Sequence, residues 1–334
     1  MKTVPSIRAG LRFLLPKLGL WLGLIVFAGC GGNGDLSVGD FNNPGTESIK
    51  QSDFQIGASW DAQELTTQSV IDRNNFVISQ GASSTVLIRT LFAKGTGLYL
   101  GSFNGLYLVG TNAHVLKNIP SCAVTPVVVQ FKLANLAYTC SKVVGIWRNI
   151  DFAIIALRVR GGTHAFLDQI NPPKMAFKKP LIKNTMLYSF GHGAFENSDN
   201  NLTLKTGEDC RIYSGDNTLR RLKDPNQEGA VKIPSFAVGC DISPGDSGSP
   251  LMDRNTGEVY GFIWSTQTPK PLLVRSSTYM EQLRGANSDE VWNHLAYGIP
   301  ATSIRDELLR WAERVRRSLP MRDRRQAILE LVGL

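Results

Sequence analysis

A long series of short apolar runs, separated by clusters of turn residues, is the feature that most constrains the fold of this 334-residue chain. The runs are rich in β-branched and aromatic residues, which is the pattern of strands in a sandwich or barrel. The chain is 43% hydrophobic and 19% charged, which allows a sizeable core and excludes wholesale disorder. The runs that predict strands are 85–92, 105–110, 124–131, 141–147, 152–159, 184–190, 209–215, 234–240 and 257–265.

Three short motifs in this β-rich region carry side chains suited to nucleophilic catalysis. TNAHV contains His114, DFAIIAL begins with Asp151, and GDSGSP contains Ser247. A serine hydroxyl is a weak nucleophile at neutral pH, and it needs a base that a third group orients. Gly245 permits a sharp turn, so the N–H groups of Gly245 and Ser247 are the predicted donors to a developing oxyanion.

These motifs resemble those of the trypsin-like (chymotrypsin-clan) serine peptidases. The order His…Asp…Ser is that of this clan, and GDSGSP is similar to its G-D-S-G-G-P motif, with Ser249 where a second glycine is usual. The resemblance covers roughly residues 80–318. It implies an all-β fold of two six-stranded antiparallel β-barrels that meet at the active site, followed by a C-terminal helix. It also implies a serine endopeptidase that acts on protein or peptide substrates without a cofactor or a metal.

The chain divides into four predicted regions along this pattern. They are a signal peptide at 1–29, an anchor, tether and lead-in at 30–80, a peptidase domain at 81–318, and a helical extension at 319–334. The barrels are expected at about 81–165 and 182–300, which puts His114 and Asp151 on the first barrel and Ser247 on the second. A short helix is predicted near 61–72.

The C-terminal region changes from strand to helix periodicity. Apolar residues recur at helical spacing over 302–318, and Ser303 with Asp306 predicts a capping box at its start. We expect the basic face of this helix to be solvated, and the alternative is contact with a membrane surface. A second helix is predicted at 322–332, as an addition to the pattern of the resembled family.

The resemblance leaves two features of the Ser247 loop open. In trypsin-like enzymes the residue at Asp246 pairs with an N-terminus freed by cleavage, but no Arg-[IV]-[IV]-Gly-Gly site precedes Thr85. We therefore expect another cation, backbone donors or a different activation mechanism. Asp241 matches the floor of the family's primary specificity pocket, with Trp264 and Thr266 nearby, which predicts cleavage after Lys or Arg. The glycine-free segment TQTPK counts against this specificity.

The N-terminus has the pattern of an export signal. Lys2, Arg8, Arg12 and Lys17 precede the apolar run 18–28, which is too short for a comfortable membrane span. The run ends in FAGC, which resembles a bacterial lipobox and predicts that Cys30 is lipidated, with ordinary cleavage or a retained span as alternatives. Gly31 resembles the pattern sent to an outer membrane. The Gly-rich stretch 31–48 is typical of a flexible tether.

The remaining cysteines predict disulfides in an exported protein. Three pairings of Cys122, Cys140, Cys210 and Cys240 are possible, and Cys122–Cys140 with Cys210–Cys240 closes the shorter loops. No Cys-x-x-Cys pair or histidine cluster indicates zinc.

The formal net charge of +8 comes mainly from the termini, because 1–29 holds four cations and 301–334 holds eight Arg against five acidic residues. The charge therefore gives no argument for a nucleic-acid partner.

Three alternatives follow from the same residues. The first is a non-catalytic protein-binding module on the same fold, which the complete set of Ser, His and Asp disfavours. The second is an esterase on an α/β sheet, which requires the opposite order Ser…Asp…His. The third is that Gly-Asp-Ser-Gly is only a turn. We interpret His164 and His294 as structural, and His192 as a turn or wall residue, or else as a contact near the substrate cleft.

Overall fold

The computed structural model describes residues 62–117, 119, 121–159, 164–193, 201–213, 218–223, 230–266 and 296–334. Side chains are described for these residues except 218–223, 230–232 and 266. The predicted signal peptide, Cys30 and the tether lie outside the described residues, as do His294 and the segment 267–295. The domain boundaries therefore stay predictions.

The lead-in contains one short strand and two helices. Strand β1 (Gln63–Glu64) pairs with Thr203 and Leu204, and helix α1 (Thr67–Asp72) lies within the predicted region. Helix α2 (Phe76–Ser84) was not predicted, because its first residues have strand propensity. Asn75 caps the helix by accepting a hydrogen bond from the N–H of Ile78 at 3.0 Å, and Val77, Ile78 and Ala82 pack in the core.

The first barrel is a closed antiparallel sheet of six strands in the order β2-β3-β4-β7-β6-β5. Five of these strands overlap the predicted runs. The sixth, β3, was missed because Gly95, Gly97 and Gly101 interrupt its apolar pattern. The strands are β2 (Thr85–Arg89), β3 (Lys94–Phe103), β4 (Leu106–Asn112), β5 (Val128–Phe131), β6 (Leu136–Trp147) and β7 (Phe152–Arg158). Helix α3 (Ala113–Leu116) follows β4, a 3-10 turn (Arg148–Ile150) precedes β7, and helix α4 (His164–Gln169) follows it.

Seven strands from the second half of the chain, together with β1 of the lead-in, form a sheet of eight strands in the order β1-β9-β8-β12-β13-β14-β11-β10. Isolated bridges join Arg211 to Met186 beside β8 and Ile212 to Val238 of β11, so the segment 209–213 connects two separated strands of the sheet. The predicted strand at 209–215 is wrong over its described part, because 209–213 forms only bridges. The strands are β8 (Leu187–Gly191), β9 (Thr203–Lys205), β10 (Thr218–Lys223), β11 (Ala230–Val238), β12 (Pro250–Asp253), β13 (Val259–Thr266) and β14 (Ala296–Pro300).

The predicted all-β fold of two β units with a C-terminal helix is confirmed. The first unit is the closed six-stranded barrel, and the second is a sheet of eight strands where a six-stranded barrel was predicted. Each half contains one disulfide, Cys122–Cys140 in the first and Cys210–Cys240 in the second. This is the pairing that closes the shorter loops. Disulfides persist in oxidising compartments, so the two bonds indicate an exported protein.

Two helices end the chain, α5 (Ala301–Arg314) and α6 (Arg322–Leu331). The predicted capping box is wrong, because α5 begins directly after Pro300 and Ser303 therefore lies inside the helix. A short 3-10 turn (Leu319–Met321) separates the two helices. Among the described residues, no helix is both long and apolar enough to cross a membrane.

The apolar core consists of three clusters. One fills the first barrel, a second lies within the second sheet, and the third contains side chains from both halves together with α5 and α6. Ile304 and Leu308 of α5 and Ile328 of α6 are fully buried in this shared cluster. Helix α6 also contacts the β3–β4 turn, where Glu330 accepts a hydrogen bond from the N–H of Asn104 at 2.6 Å. The C-terminal extension is therefore part of the core.

If α6 is part of the core, Ile328→Ala should lower the free energy of unfolding by about 2–4 kcal/mol, because it opens a cavity among fully buried side chains. Leu319→Ala is the matched control, since Leu319 is 82% exposed and its loss should change stability by less than about 0.5 kcal/mol. Urea unfolding measures both variants. Equal stability of the two variants would show that α6 does not contribute to the core.

Candidate active site

His114 and Asp151 are brought together by the pairing of β4 with β7. Asn112 lies opposite Phe152 in the antiparallel register, so the residues just beyond these strand ends are neighbours. The Oδ2 atom of Asp151 is 2.7 Å from Nδ1 of His114, and Oδ1 accepts a hydrogen bond from the His114 backbone N–H at 2.9 Å. Both carboxylate oxygens therefore hold the histidine, and the imidazole turns Nδ1 toward the carboxylate and Nε2 away from it.

The backbone of Asp151 is fixed as firmly as its side chain. Its carbonyl accepts hydrogen bonds from the N–H of Ala113 at 3.0 Å and from Nδ2 of Asn112 at 3.1 Å. The residue has a left-handed conformation with φ 48°, which lets the 3-10 turn end and β7 begin. The Asp151 side chain is 10% exposed and that of His114 is 40% exposed. The carboxylate is thus shielded, while the imidazole is accessible from solvent.

Ser247 lies on the loop between β11 and β12, and this loop is bound to the first barrel. The Ser247 carbonyl accepts a hydrogen bond from the N–H of Thr96 in β3 at 2.8 Å, and the Gly245 carbonyl accepts one from the Thr96 hydroxyl at 2.8 Å. Gly245 and Gly248 have φ of +106° and +90°, which side chains disfavour. The Ser247 residue is 5% exposed.

Gly95 shows how near the Ser247 loop lies to the histidine. A Cβ atom at Gly95 would be 2.6 Å from Val115, the neighbour of His114, and 3.1 Å from the Ser247 carbonyl oxygen. Only a residue without a side chain fits between these two segments. The structure therefore brings the loop of Ser247 and the helix of His114 to the same junction between the two halves of the protein.

Asp246, whose partner the sequence left open, pairs with Lys205. The Lys205 Nζ is 2.8 Å from Oδ1 of Asp246, and both side chains are fully buried. The other carboxylate oxygen accepts hydrogen bonds from the N–H of Ser243 at 2.9 Å and from its hydroxyl at 3.2 Å. Lys205 also donates to the Thr203 hydroxyl at 2.6 Å. A cation and a backbone donor thus both hold Asp246, immediately before Ser247.

The residues of the predicted specificity pocket are described less completely. Asp241 is partly buried in the loop before Ser247, and Trp264 is buried on β13, where its Nε1 donates to the Ser235 hydroxyl at 3.0 Å. Thr266 pairs with Ala296 at the end of β13, and its side chain lies outside the described part. Specificity for Lys or Arg stays a prediction.

His192 lies behind the Ser247 loop, where it is fully buried. Its N–H donates to the Thr96 hydroxyl at 3.0 Å, and its carbonyl oxygen is 2.7 Å from where a Cβ atom at Gly245 would lie. These contacts agree with the interpretation of His192 as a turn or wall residue. His164 begins α4 and is exposed.

Sequence reasoning missed Thr96 and Lys205. Thr96 lies in the glycine-rich strand that the apolar pattern did not predict. Lys205 had one signal in the sequence, because it ends the short run LTLK, in which alternate residues are apolar as in a strand. A lysine on a buried strand requires an acidic partner. In the part of the chain that the structure describes, no three His, Cys, Asp or Glu side chains are grouped so that they could hold a metal ion.

Comparison with known proteins assigns the class. The family model of the trypsin-like peptidase domain matches residues 95–262, which is half of the chain, so the chain belongs to the trypsin-like peptidase family. This range includes His114, Asp151 and Ser247. No curated protein matches the chain.

Solved structures of serine proteases are similar in fold. The inactive form of the Rv3671c protease of M. tuberculosis has 21% identity and a TM-score of 0.46, over 75% of this chain and 98% of that one. The active form has 21% identity and a TM-score of 0.48, over 74% and 87%. The serine endoprotease of Yersinia pestis has 14% identity and a TM-score of 0.45, over 72% and 66%. At these values, the family assignment is based on the family model.

Replacing Lys205 should destabilise the protein, because it leaves a buried charge without a partner. Lys205→Met leaves the Asp246 carboxylate without its cation, and we expect a loss of about 3–5 kcal/mol in the free energy of unfolding. A second change, Asp246→Asn, should recover much of this stability because it removes the charge. Urea unfolding measures the stability, and the rate at which Ser247 reacts with a fluorophosphonate probe reports whether the loop keeps its conformation.

Lys179→Met is the control for this experiment, because Lys179 forms an exposed ion pair with Glu258. Exposed pairs contribute little to stability, so this variant should unfold as the wild type does. If Lys205→Met and Lys179→Met behave alike, the buried pair does not hold the Ser247 loop.

Proposed function

We propose that this protein is a serine endopeptidase that uses Ser247 as nucleophile, His114 as general base and Asp151 as the group that orients the base. The observation that carries the proposal is the pair of hydrogen bonds that the Asp151 carboxylate accepts from the backbone N–H and Nδ1 of His114, beside a Ser247 loop that is bound to β3. Membership of the trypsin-like peptidase family supports it.

The reaction begins when the Ser247 oxygen attacks the carbonyl carbon of a peptide bond. His114 Nε2 takes the hydroxyl proton, and Asp151 stabilises the imidazolium that forms. The N–H groups of Gly245 and Ser247 are the proposed donors to the negatively charged oxygen, each contributing on the order of 10²–10³ in rate. The C–N bond then breaks, the amine takes the proton from His114, and an acyl-enzyme remains. Water attacks this ester with His114 again as base, which releases the acid and restores Ser247.

The Lys205–Asp246 pair supports a loop that is ready for catalysis without a new N-terminus. Since Asp246 already has a buried cation and two donors from Ser243, a freed amine is not needed to neutralise it. We therefore propose that activity does not depend on cleavage before Thr85.

We also propose that the enzyme is tethered to a bacterial cell envelope through a lipid on Cys30. The proposal follows from the basic flank, the short apolar run and the sequence FAGC ahead of a Gly-rich stretch. The two disulfides agree with export. Substrates would then be proteins or peptides that reach the envelope.

A fluorophosphonate probe tests the catalytic proposal directly, because it forms a covalent bond only with an activated serine. The wild type should be labelled at Ser247, Ser247→Ala should take no label, and His114→Ala should react more slowly by several orders of magnitude. Ser249→Ala is the matched control on the same loop, since the buried Ser249 hydroxyl has no hydrogen-bond partner among the described residues. It should react like the wild type.

The binding-module alternative gives a different result in the same experiment. A correctly folded wild type that binds peptides but takes no label, and cleaves none of a peptide library, would establish the alternative and refute the peptidase. Circular dichroism and urea unfolding show whether each variant is folded.

Lipidation of Cys30 predicts a change of location on substitution. Cys30→Ser should release the protein from the membrane fraction or leave an unprocessed precursor, because the thiol is the acceptor of the lipid. Fractionation of the bacterial envelope and mass spectrometry of the N-terminal peptide measure this. A wild-type N-terminal peptide without an acyl group would rule out the lipid tether.

A further inference from the structure

A buried carboxylate on the C-terminal helix is bonded to the turn that precedes Asp151. Glu307 of α5 is 3% exposed, and its Oε2 accepts a hydrogen bond from Nδ2 of Asn149 at 3.0 Å. Asn149 lies in the 3-10 turn Arg148–Ile150, and Asp151 is the residue that ends this turn. Only one residue thus separates the Asn149 contact from Asp151.

Two arginines of the same helix complete the surroundings of Glu307. Arg310 donates from Nε at 3.0 Å and from Nη2 at 2.7 Å to Oε2, the oxygen that also faces Asn149. Arg314 donates to the other oxygen, Oε1, at 2.9 Å. Both arginine side chains are more than half exposed, so their charges are solvated while the carboxylate between them is buried. Glu307 therefore joins a solvated cationic face of α5 to an interior turn.

No side chain caps the start of the 3-10 turn, and Asn149 lies on its exposed side. Ile150 of the turn is buried in the shared core cluster, and the N–H of Asp151 donates to the carbonyl of Arg148 at 3.2 Å. The hydrogen bond from Asn149 to Glu307 adds a polar contact to this apolar and backbone support. Helix α5 provides a second contact on the same segment, where Trp311 packs edge-on against Trp147 at a ring distance of 5.7 Å. Helix α5 therefore contacts both the residue before the turn and a residue within it.

We propose that Glu307 is a positioning residue, which acts through Asn149 to hold the turn so that the Asp151 carboxylate meets His114. This inference rests on the proposed catalytic function. An error of about 1 Å in the placement of a catalytic group can cost on the order of 100-fold in rate, so a single contact at the turn matters. The C-terminal helix of this protein thus serves the site as well as the core.

The ionisation of Glu307 agrees with this role. Burial alone would raise its pKa, but the hydrogen bonds from Arg310, Arg314 and Asn149 outweigh burial and hold the pKa below its ordinary value. The folded protein therefore favours the carboxylate, and the stability that it contributes is fully present at neutral pH. This contribution is lost as the pH falls through the depressed pKa in the folded state.

A matched pair of variants separates positioning from simple helix stabilisation. Asn149→Ala removes the contact to the turn and leaves both arginine contacts of Glu307 in place. Because Asn149 is largely exposed, the variant should fold. Arg314→Ala removes a contact to the same carboxylate and leaves the turn untouched. Glu307→Gln is the third variant, and it removes the charge while it keeps the shape of the side chain.

The readouts are the downfield proton NMR signal of the His114 Nδ1–H bonded to Asp151 and the rate of fluorophosphonate labelling. The signal is assigned by its loss in His114→Ala. Asn149→Ala and Glu307→Gln should weaken or broaden it and slow labelling by about 10- to 100-fold, whereas Arg314→Ala should keep both. Urea unfolding of all three variants reports their stability separately.

Two outcomes would overturn the proposal. One is an Asn149→Ala variant with a wild-type signal and labelling rate. The other is an Arg314→Ala variant that loses as much as Asn149→Ala, which would make Glu307 only a stabiliser of α5. If the wild type takes no label, the peptidase proposal fails, but the NMR signal still tests whether Glu307 positions Asp151.

Discussion

Thr96, a fully buried residue of β3, joins the two halves of the protein through its backbone N–H and its hydroxyl. Its N–H donates to the Ser247 carbonyl, and its hydroxyl donates to the Gly245 carbonyl and accepts from the N–H of His192. Its own carbonyl accepts from the Thr111 hydroxyl at 2.7 Å, one strand closer to His114. A strand of the first barrel thus provides the surface on which the Ser247 loop of the second half is fixed.

This close approach explains two glycines that a reading of turns alone would treat as flexible. A Cβ atom at Gly248 would be 2.0 Å from the Thr96 carbonyl oxygen, and one at Gly95 would collide with Val115. Gly248 therefore lacks room for a side chain because the Thr96 backbone meets it there, in addition to its positive φ. Gly95 lacks room because it faces the Val115 side chain and the Ser247 carbonyl. The second glycine of Gly-Asp-Ser-Gly is, in this protein, a requirement of packing between the two halves.

The sequence predicted the parts of the fold that depend on local pattern, and it failed where distant residues decide. Runs such as 152–159 were found because their apolar residues fill a barrel, and α5 was found from its helical spacing. Strand β3 was missed because its glycines serve contacts to residues far along the chain. The same holds for Lys205, whose partner lies 41 residues away, and for Glu307, whose contact to Asn149 spans 158 residues. Motifs reveal the chemical groups, but the supports of those groups are tertiary.

These supports share one physical property, which is a buried charge. Desolvation makes a buried ion pair an inefficient source of stability, and well-packed apolar residues of similar volume often serve as well. The apolar clusters and the two disulfides already stabilise this fold. A charged side chain differs from an apolar one because it forms hydrogen bonds, and hydrogen bonds have a preferred direction. Lys205 beside Ser247 and Glu307 beside the Asp151 turn each fix a backbone segment at a defined position, which packing alone does less sharply. We therefore interpret both buried charges as elements that sacrifice some stability. In return, they hold the proposed nucleophile and the proposed orienting carboxylate at fixed positions relative to each other, although the two lie in different halves of the protein.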